Sequence, residues 1–282
     1  MTYRLGYTES TLIFFYFLDK YCKNANKQHY REQQYNMLKW LYSTSGFYDK
    51  SINMDTASVD AILGSRVYNN YFNMLLNIIK KYKKDVQLNF HKIHDELTQN
   101  YMDLFYKFIE KPNKKVLIDN SYLFNFIKNK KIIIINNLGV LMKKQYENGN
   151  LKKIYSDFPD VESIDFINIG YTFFNNGPHA SILDGVKHMY KLIDDKLLVS
   201  DADSFIISSG AYSVLLANYI KQKYKKNVVL VGGKLAVFFG IKTNRGLLHQ
   251  KKIINDKQDY FISVPDSMKP PKYNLIENGC YW

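Results

Sequence analysis

The most chemically suggestive local feature of the chain is Ser208-Ser209-Gly210-Ala211-Tyr212. It follows the apolar run Phe205-Ile206-Ile207 and precedes a stretch with helical apolar spacing. A glycine at a strand-to-helix junction lets the backbone turn tightly. The first N–H groups of a helix have no partner within it and carry partial positive charge, which suits phosphate. Ser208 and Ser209 would add hydroxyl donors. The same residues also describe an ordinary tight turn, and pattern alone does not separate the two readings. The run is neither a Walker loop nor the three-glycine dinucleotide fingerprint, so neither ATP hydrolysis nor NAD binding is supported. A second junction, Val231-Gly232-Gly233-Lys234, follows the run Asn227–Leu230. Two neighbouring junctions of this kind form a crevice for a diphosphate, with Lys234, Lys242 and Arg245 as countercharges. Lys242 and Arg245 also read as exposed loop charges.

Asp201-Ala202-Asp203 has the spacing with which two carboxylates face one divalent cation. It precedes a strand, however, and so belongs at the end of the sheet away from the crevice, where a turn explains it equally. His179 follows Asn175-Asn176-Gly177-Pro178 in a loop after a strand, where an imidazole can serve as a general base near neutral pH. His91 and His94 are three apart on a predicted helix, but no carboxylate motif accompanies them, so a surface helix face describes them better. No G-x-S-x-G elbow is present, and serine hydrolase chemistry has no support.

The elements that must position these residues alternate in kind. Lys131-Ile132-Ile133-Ile134-Ile135 reads as a buried parallel strand, and Val161–Ile169 as a second. A helix is predicted over Ser181–Leu197, a strand over Ser204–Ser208, a helix over Ala211–Lys223 and a strand over Asn227–Val231. Strand and helix in alternation imply right-handed βαβ units and a parallel sheet. The fold class is therefore α/β, a Rossmann-like parallel sheet with flanking helices over 113–282. A mainly helical region over 1–112 precedes it, with Pro112 at the change and caps near Ser10 and Asp55.

The formal charge is +13. Nearly all the cations are lysines; the only arginines are Arg4, Arg31, Arg66 and Arg245. Nucleic-acid readers favour the arginine fork, so nucleic acid is not the expected partner. The excess of Lys, Asn, Ile, Tyr and Phe is the pattern of an AT-rich coding sequence, and most of the charge reads as a solvated surface. The apolar run Thr11–Leu18 is too short to span a bilayer and lacks the flanks of a signal peptide. Cys22 and Cys280 fit neither a zinc motif nor a disulfide framework, so a reducing, cytoplasmic setting is expected.

Several motifs, in consistent order, resemble a known family. Gly232-Gly233-Lys234-Leu235-Ala236-Val237-Phe238-Phe239-Gly240-Ile241-Lys242-Thr243-Asn244-Arg245 is similar to its signature: a Gly-Gly pair, a short apolar helix, then Phe-Gly-Ile-Lys and a basic residue. Ser209-Gly210-Ala211-Tyr212 matches its Gly-Ala-Tyr turn, and Glu277-Asn278-Gly279-Cys280-Tyr281-Trp282 resembles its closing motif. Lys130–Ile135 and Met142–Tyr146 resemble its first strand and a following Gln-Tyr helix. The family comprises glycosyltransferases of the D-type fold from polysaccharide-synthesis clusters and large viruses. The resemblance covers about 115–282. It implies a nucleotide-sugar donor, a glycan or related acceptor and, as cofactor, a divalent cation such as manganese or magnesium. It assigns substrate binding to Ser209, Gly210, Ala211, Tyr212, Gly232, Gly233, Lys242, Arg245 and Arg66; for a viral member the host cytoplasm is the setting. The chain departs from the pattern at Ser65-Arg66-Val67-Tyr68-Asn69-Asn70-Tyr71, where the family's glycine and acidic positions are Tyr or Asn. That departure supports an alternative, a catalytically inactive relative that binds nucleotide or glycan and supports a partner enzyme.

Overall fold

The structure, a computed structural model, describes residues 3–4, 7–22, 27–44, 46–53, 56–82, 86–87, 96–109, 118–276 and 278–282. Asp55, His91, His94, Pro112 and Glu277 lie outside these residues.

In the first part of the chain, strand β1 (Tyr3–Arg4) pairs with β2 (Val86–Gln87), and the helices are α1 (Tyr7–Tyr21), α2 (Lys27–Thr44), α3 (Val59–Gly64), α4 (Arg66–Lys81) and α5 (Glu96–Ile109). Helix α4 shows why such segments fold as they do. Ser65 caps it, its Oγ accepting the N–H groups of Val67 and Tyr68 at 3.2 and 3.3 Å. Tyr68, Tyr71, Phe72, Leu75, Leu76, Ile78 and Ile79 fall on one buried stripe, and Lys80 and Lys81 close the last turn, where cations suit the helix dipole. Ser10, expected as a cap, sits inside α1 and is buried. The helix begins three residues earlier, at Tyr7.

The second part contains β3 (Lys131–Asn136), β4 (Ser163–Asn168), β5 (Ser204–Ser208) and β6 (Asn227–Leu230), all parallel, in the spatial order β4-β3-β5-β6. Helices α7 (Gly139–Glu147) and α8 (Asn150–Ile154) join β3 to β4; α9 (Ile182–Leu198) joins β4 to β5; α10 (Ser213–Tyr224) joins β5 to β6. The winding direction thus reverses between β3 and β5. Alternate residues of the sheet enter different cores. Ile133, Ile135, Phe205, Ile207, Val228 and Leu230 share one with α9, α10 and α1–α5. Ile132, Ile134, Ile206 and Val229 share the other with α6 (Asn120–Ile127), α7, α8, α11 (Lys234–Phe238) and the C-terminal segment. This two-sided burial explains why β3 is an unbroken isoleucine run rather than an alternating one.

Helix α10 buries four consecutive residues, Val214, Leu215, Leu216 and Ala217. The start of this helix is apolar on every side and must be covered there on every side. It lies on β6, with α9 beside it and α4 also against it. The predicted strand ends shift slightly: Val161 and Glu162 precede β4, and Ala211 and Tyr212 form a 3-10 turn before α10. After α11 come β7 (Ile241–Lys242), α12 (Asn244–His249), α13 (Lys251–Asp256) and β8 (Ile262–Ser263), which pairs with β7. No described helix is long and apolar enough to cross a membrane.

Candidate functional site

In open α/β sheets ligands bind outside the carboxyl ends of the strands, where the winding reverses. Here that point lies between β3 and β5. Asn136, the last residue of β3, bridges them: its Nδ2 donates to the Ser208 carbonyl at 2.7 Å, and its Oδ1 accepts the Leu138 N–H at 2.7 Å. Asn168, at the end of β4, donates through its amide nitrogen to the carbonyls of Asn137 and Asn136 at 2.7 and 3.0 Å. The Asn137 Oδ1 is buried without a hydrogen-bond partner. Helix α7 begins directly behind this wall, and no side chain caps it.

The other wall is built by the two glycine junctions. Gly210 has φ +54, a left-handed backbone that favours glycine, and it is exposed. Ser209 is buried; its N–H donates to Ser213 Oγ at 3.0 Å, which fixes the turn. Ser208 Oγ donates to the Gly232 carbonyl at 3.3 Å, tying the end of β5 to the turn after β6. Gly232 is exposed and Gly233 half-buried. A Cβ on Gly233 would lie 3.2 Å from Tyr281 Cε1 and 3.4 Å from Arg245 Cδ, so the guanidinium arm and the tyrosine ring cross directly over that glycine. Arg245 Nη1 donates to Tyr281 Oη at 3.2 Å, and its guanidinium lies 5.2 Å from that ring's centre.

An aromatic bridge crosses from the loop after β4 to this corner. Phe173 lies 6.0 Å from Trp282 and 6.4 Å from Tyr281, ring centre to ring centre. The Trp282 indole N–H donates to Tyr171 Oη at 3.1 Å, and burial pushes the Tyr171 phenol up to about 12. The rings join the two edge strands of the sheet at the same end as the glycine turns.

The residues expected from sequence are therefore distributed unevenly. Ser209, Gly210, Gly232, Gly233 and Arg245 share the carboxyl end of the sheet. Ala211 and Tyr212 lie in the turn, but their side chains are buried. The Tyr212 hydroxyl meets Tyr48 Oη at 3.4 Å, and burial drives its pKa far up. The Ala211 carbonyl accepts Tyr71 Oη at 2.8 Å. Lys242 is half-buried in β7, Lys234 is exposed at the start of α11, and Arg66 is exposed on the first turn of α4. Among the described residues no hydrogen bond or ion pair joins Arg66 or Lys242 to the Arg245 corner. Asp201 and Asp203 lie at the opposite, amino end of the sheet. Both are engaged by Lys131: Asp201 pairs with its Nζ, and Asp203 Oδ2 accepts its N–H at 3.0 Å. No group of three His, Cys, Asp or Glu side chains suited to a metal occurs among the described residues.

His179 lies on the loop after β4, its ring centre 4.8 Å from that of His188. Partial desolvation, then the His188 imidazole and Lys50, hold its pKa below the ordinary histidine value, against the opposing pull of Asp184. Asp184 is itself held low, first by the Ser181 hydroxyl, which donates to it at 2.7 Å.

Asn136, Asn137 and Asn168 were not singled out from the sequence, and Tyr281 entered only within the closing motif, with no role of its own. The only local signal was position: each asparagine ends or follows a predicted strand. No family profile, characterised protein or solved structure matches the chain.

Proposed function

We propose that the chain is a glycosyltransferase that seats the diphosphate of a nucleotide-sugar at the carboxyl ends of β5 and β6 and transfers the sugar to a glycan or related acceptor. The observation that carries the reading is that the exposed Gly210 turn, the Gly232-Gly233 turn and the Arg245 guanidinium share the carboxyl ends of β5 and β6, next to the reversal point between β3 and β5. Backbone N–H groups freed by glycine, with an arginine fork, suit a diphosphate leaving group. Charge developing on that group is stabilised by donors already in place, and the chemistry then depends on positioning. A divalent cation such as manganese or magnesium would neutralise charge on the leaving diphosphate; among the described residues no group of three His, Cys, Asp or Glu side chains would hold it.

One observation favours a second reading, an inactive relative that binds nucleotide or glycan for a partner enzyme. The polar groups named at the two walls are amides, hydroxyls and one guanidinium; among the described residues none is a carboxylate able to act as base. Thermal stability against nucleoside diphosphates and nucleotide-sugars, with and without manganese or magnesium, tests both. A ligand at about a hundred times its Kd adds about 2.7 kcal/mol to the folded state. A selective rise in Tm, lost in Arg245→Ala, supports the diphosphate seat. A transfer assay with that donor then separates the readings, since turnover sinks the inactive one. No rise with any donor, while RNA stabilises the chain, refutes the diphosphate seat and with it the transferase reading.

A further inference from the structure

We infer that Tyr281 is the positioning residue for Arg245, and that the segment Gly279–Trp282 is a strap that fixes this arginine over the Gly233 turn to receive a diphosphate. The inference rests on the diphosphate seat proposed above and adds the device that orients its cation. Four contacts carry it. The Arg245 N–H donates to the Cys280 carbonyl at 2.8 Å, and the Asn244 N–H to the Trp282 carbonyl at 3.3 Å. Asn244 Nδ2 donates to the Gly279 carbonyl at 3.1 Å. Arg245 Nη1 donates to Tyr281 Oη at 3.2 Å. The strap thus holds both backbone and side chain at this position. It is itself anchored, because Cys280 and Trp282 are buried and the indole is bonded to Tyr171.

The geometry separates two jobs. A planar guanidinium binds most favourably when its plane is set in advance, because an arginine side chain otherwise loses rotamer freedom on binding. Tyr281 sets that plane twice, with its hydroxyl on Nη1 and its ring 5.2 Å from the guanidinium carbon. The absence of a Cβ at Gly233 is what allows the pair to lie so close to the turn. An alanine there would require the Tyr281 ring to give way slightly, while its contacts to Arg245 would be ordinary van der Waals ones.

The test is Tyr281→Phe, which keeps the ring and removes the hydroxyl. Pyrophosphate and ADP are titrated calorimetrically into the wild type, Tyr281→Phe and Arg245→Ala. With only four arginines in the chain, the Nε–Hε signal of Arg245 is identified in a side-chain NMR spectrum by its loss in Arg245→Ala. The expected result is a loss of about tenfold or more for Arg245→Ala and about 2- to 10-fold for Tyr281→Phe. The unliganded Phe variant remains folded, with a Tm within about 5 °C of the wild type, and its Arg245 signal moves and broadens. Wild-type affinity with an unchanged Arg245 signal overturns the inference. If the wild type binds neither probe, the diphosphate seat fails by itself. The Arg245 signal still reads the strap in that case: unchanged in the Phe variant, it overturns the positioning role as well.

Discussion

Replacing Gly185 by alanine tests the packing behind the Gly210 turn, because two physical effects oppose each other there. Gly185 lies within α9, and a methyl group at an interior helical position gains up to about 1 kcal/mol in helix propensity. A Cβ at this position, however, would penetrate the contact surface of Tyr212 Oη and lie 2.9 Å from Tyr48 Oη and 3.1 Å from Tyr212 Cζ. Both tyrosines are buried, at 3% and 0% exposure, so neither ring can swing into solvent to make room. Overpacking of this kind costs about 1–3 kcal/mol, and contacts this short place it in the upper part of that range. The net expectation for Gly185→Ala is a loss of about 1–2 kcal/mol, or about 2–8 °C in Tm. Tyr212→Phe removes the hydroxyl that the methyl would strike; alone it costs about 0.5–1.5 kcal/mol, since its bond to Tyr48 is long. Adding Gly185→Ala to Tyr212→Phe should then cost less than adding it to the wild type, because the shortest contact is gone while that to Tyr48 Oη remains. Thermal unfolding of the four proteins completes the cycle. A Gly185→Ala protein as stable as the wild type would refute the close approach of α9 to the Tyr48–Tyr212 pair.

Two further outcomes follow from the same structure. Gln145 is buried; its amide donates to the Gly240 and Tyr260 carbonyls at 2.7 and 2.8 Å and accepts from Asn150 at 2.8 Å. Gln145→Leu strands the Tyr260 carbonyl and should cost about 1–3 kcal/mol, read as a lower denaturant midpoint with an unchanged slope. His179 has its folded-state pKa depressed, so below the ordinary histidine value the unfolded chain binds more protons. Stability is therefore greatest above about pH 6.5 and falls as the pH drops through that value toward the folded-state pKa. His179→Gln should flatten this part of the Tm profile and make the fall below about pH 4, where Asp184 loses its charge, slightly shallower, because the His179 imidazolium is the least of the causes that hold Asp184 low. An identical slope between pH 7 and 5 in the variant would contradict it.

The sheet was legible because its signals are local. The isoleucine run of β3 admits only a strand buried on both faces, and Ser181 announces α9 by capping it. The glycine junctions were legible for the same reason, since each turn is specified by residues adjacent in sequence. What was not legible depends on pairing at a distance. Asn136 acquires its meaning from Ser208, and Tyr281 from Arg245 and Gly233. Nothing in a short stretch encodes those meetings. Tyr212 shows the limit within a motif: the turn is local, but the direction of its side chain is set by Tyr48, which lies far away in the chain. The four buried residues of α10 appear in the sequence as an uninterrupted apolar run, which signals cover on every side without naming the element that supplies it.

The bond from Tyr71 to the Ala211 carbonyl has a mechanical consequence. Tyr71 projects from the middle of α4, is fully buried, and packs edge-on against Phe47 and Phe72. Ala211 belongs to the turn that begins with the exposed Gly210. A rigid phenol therefore connects the strand-end loop to the aromatic interior of the first helices. A displacement of that loop by an ångström either breaks this bond or moves the α4 layer with it, because a close-packed interior transmits strain instead of absorbing it. The first helices thus serve as the stiff backing of the loop, and the rigidity of one limits the mobility of the other.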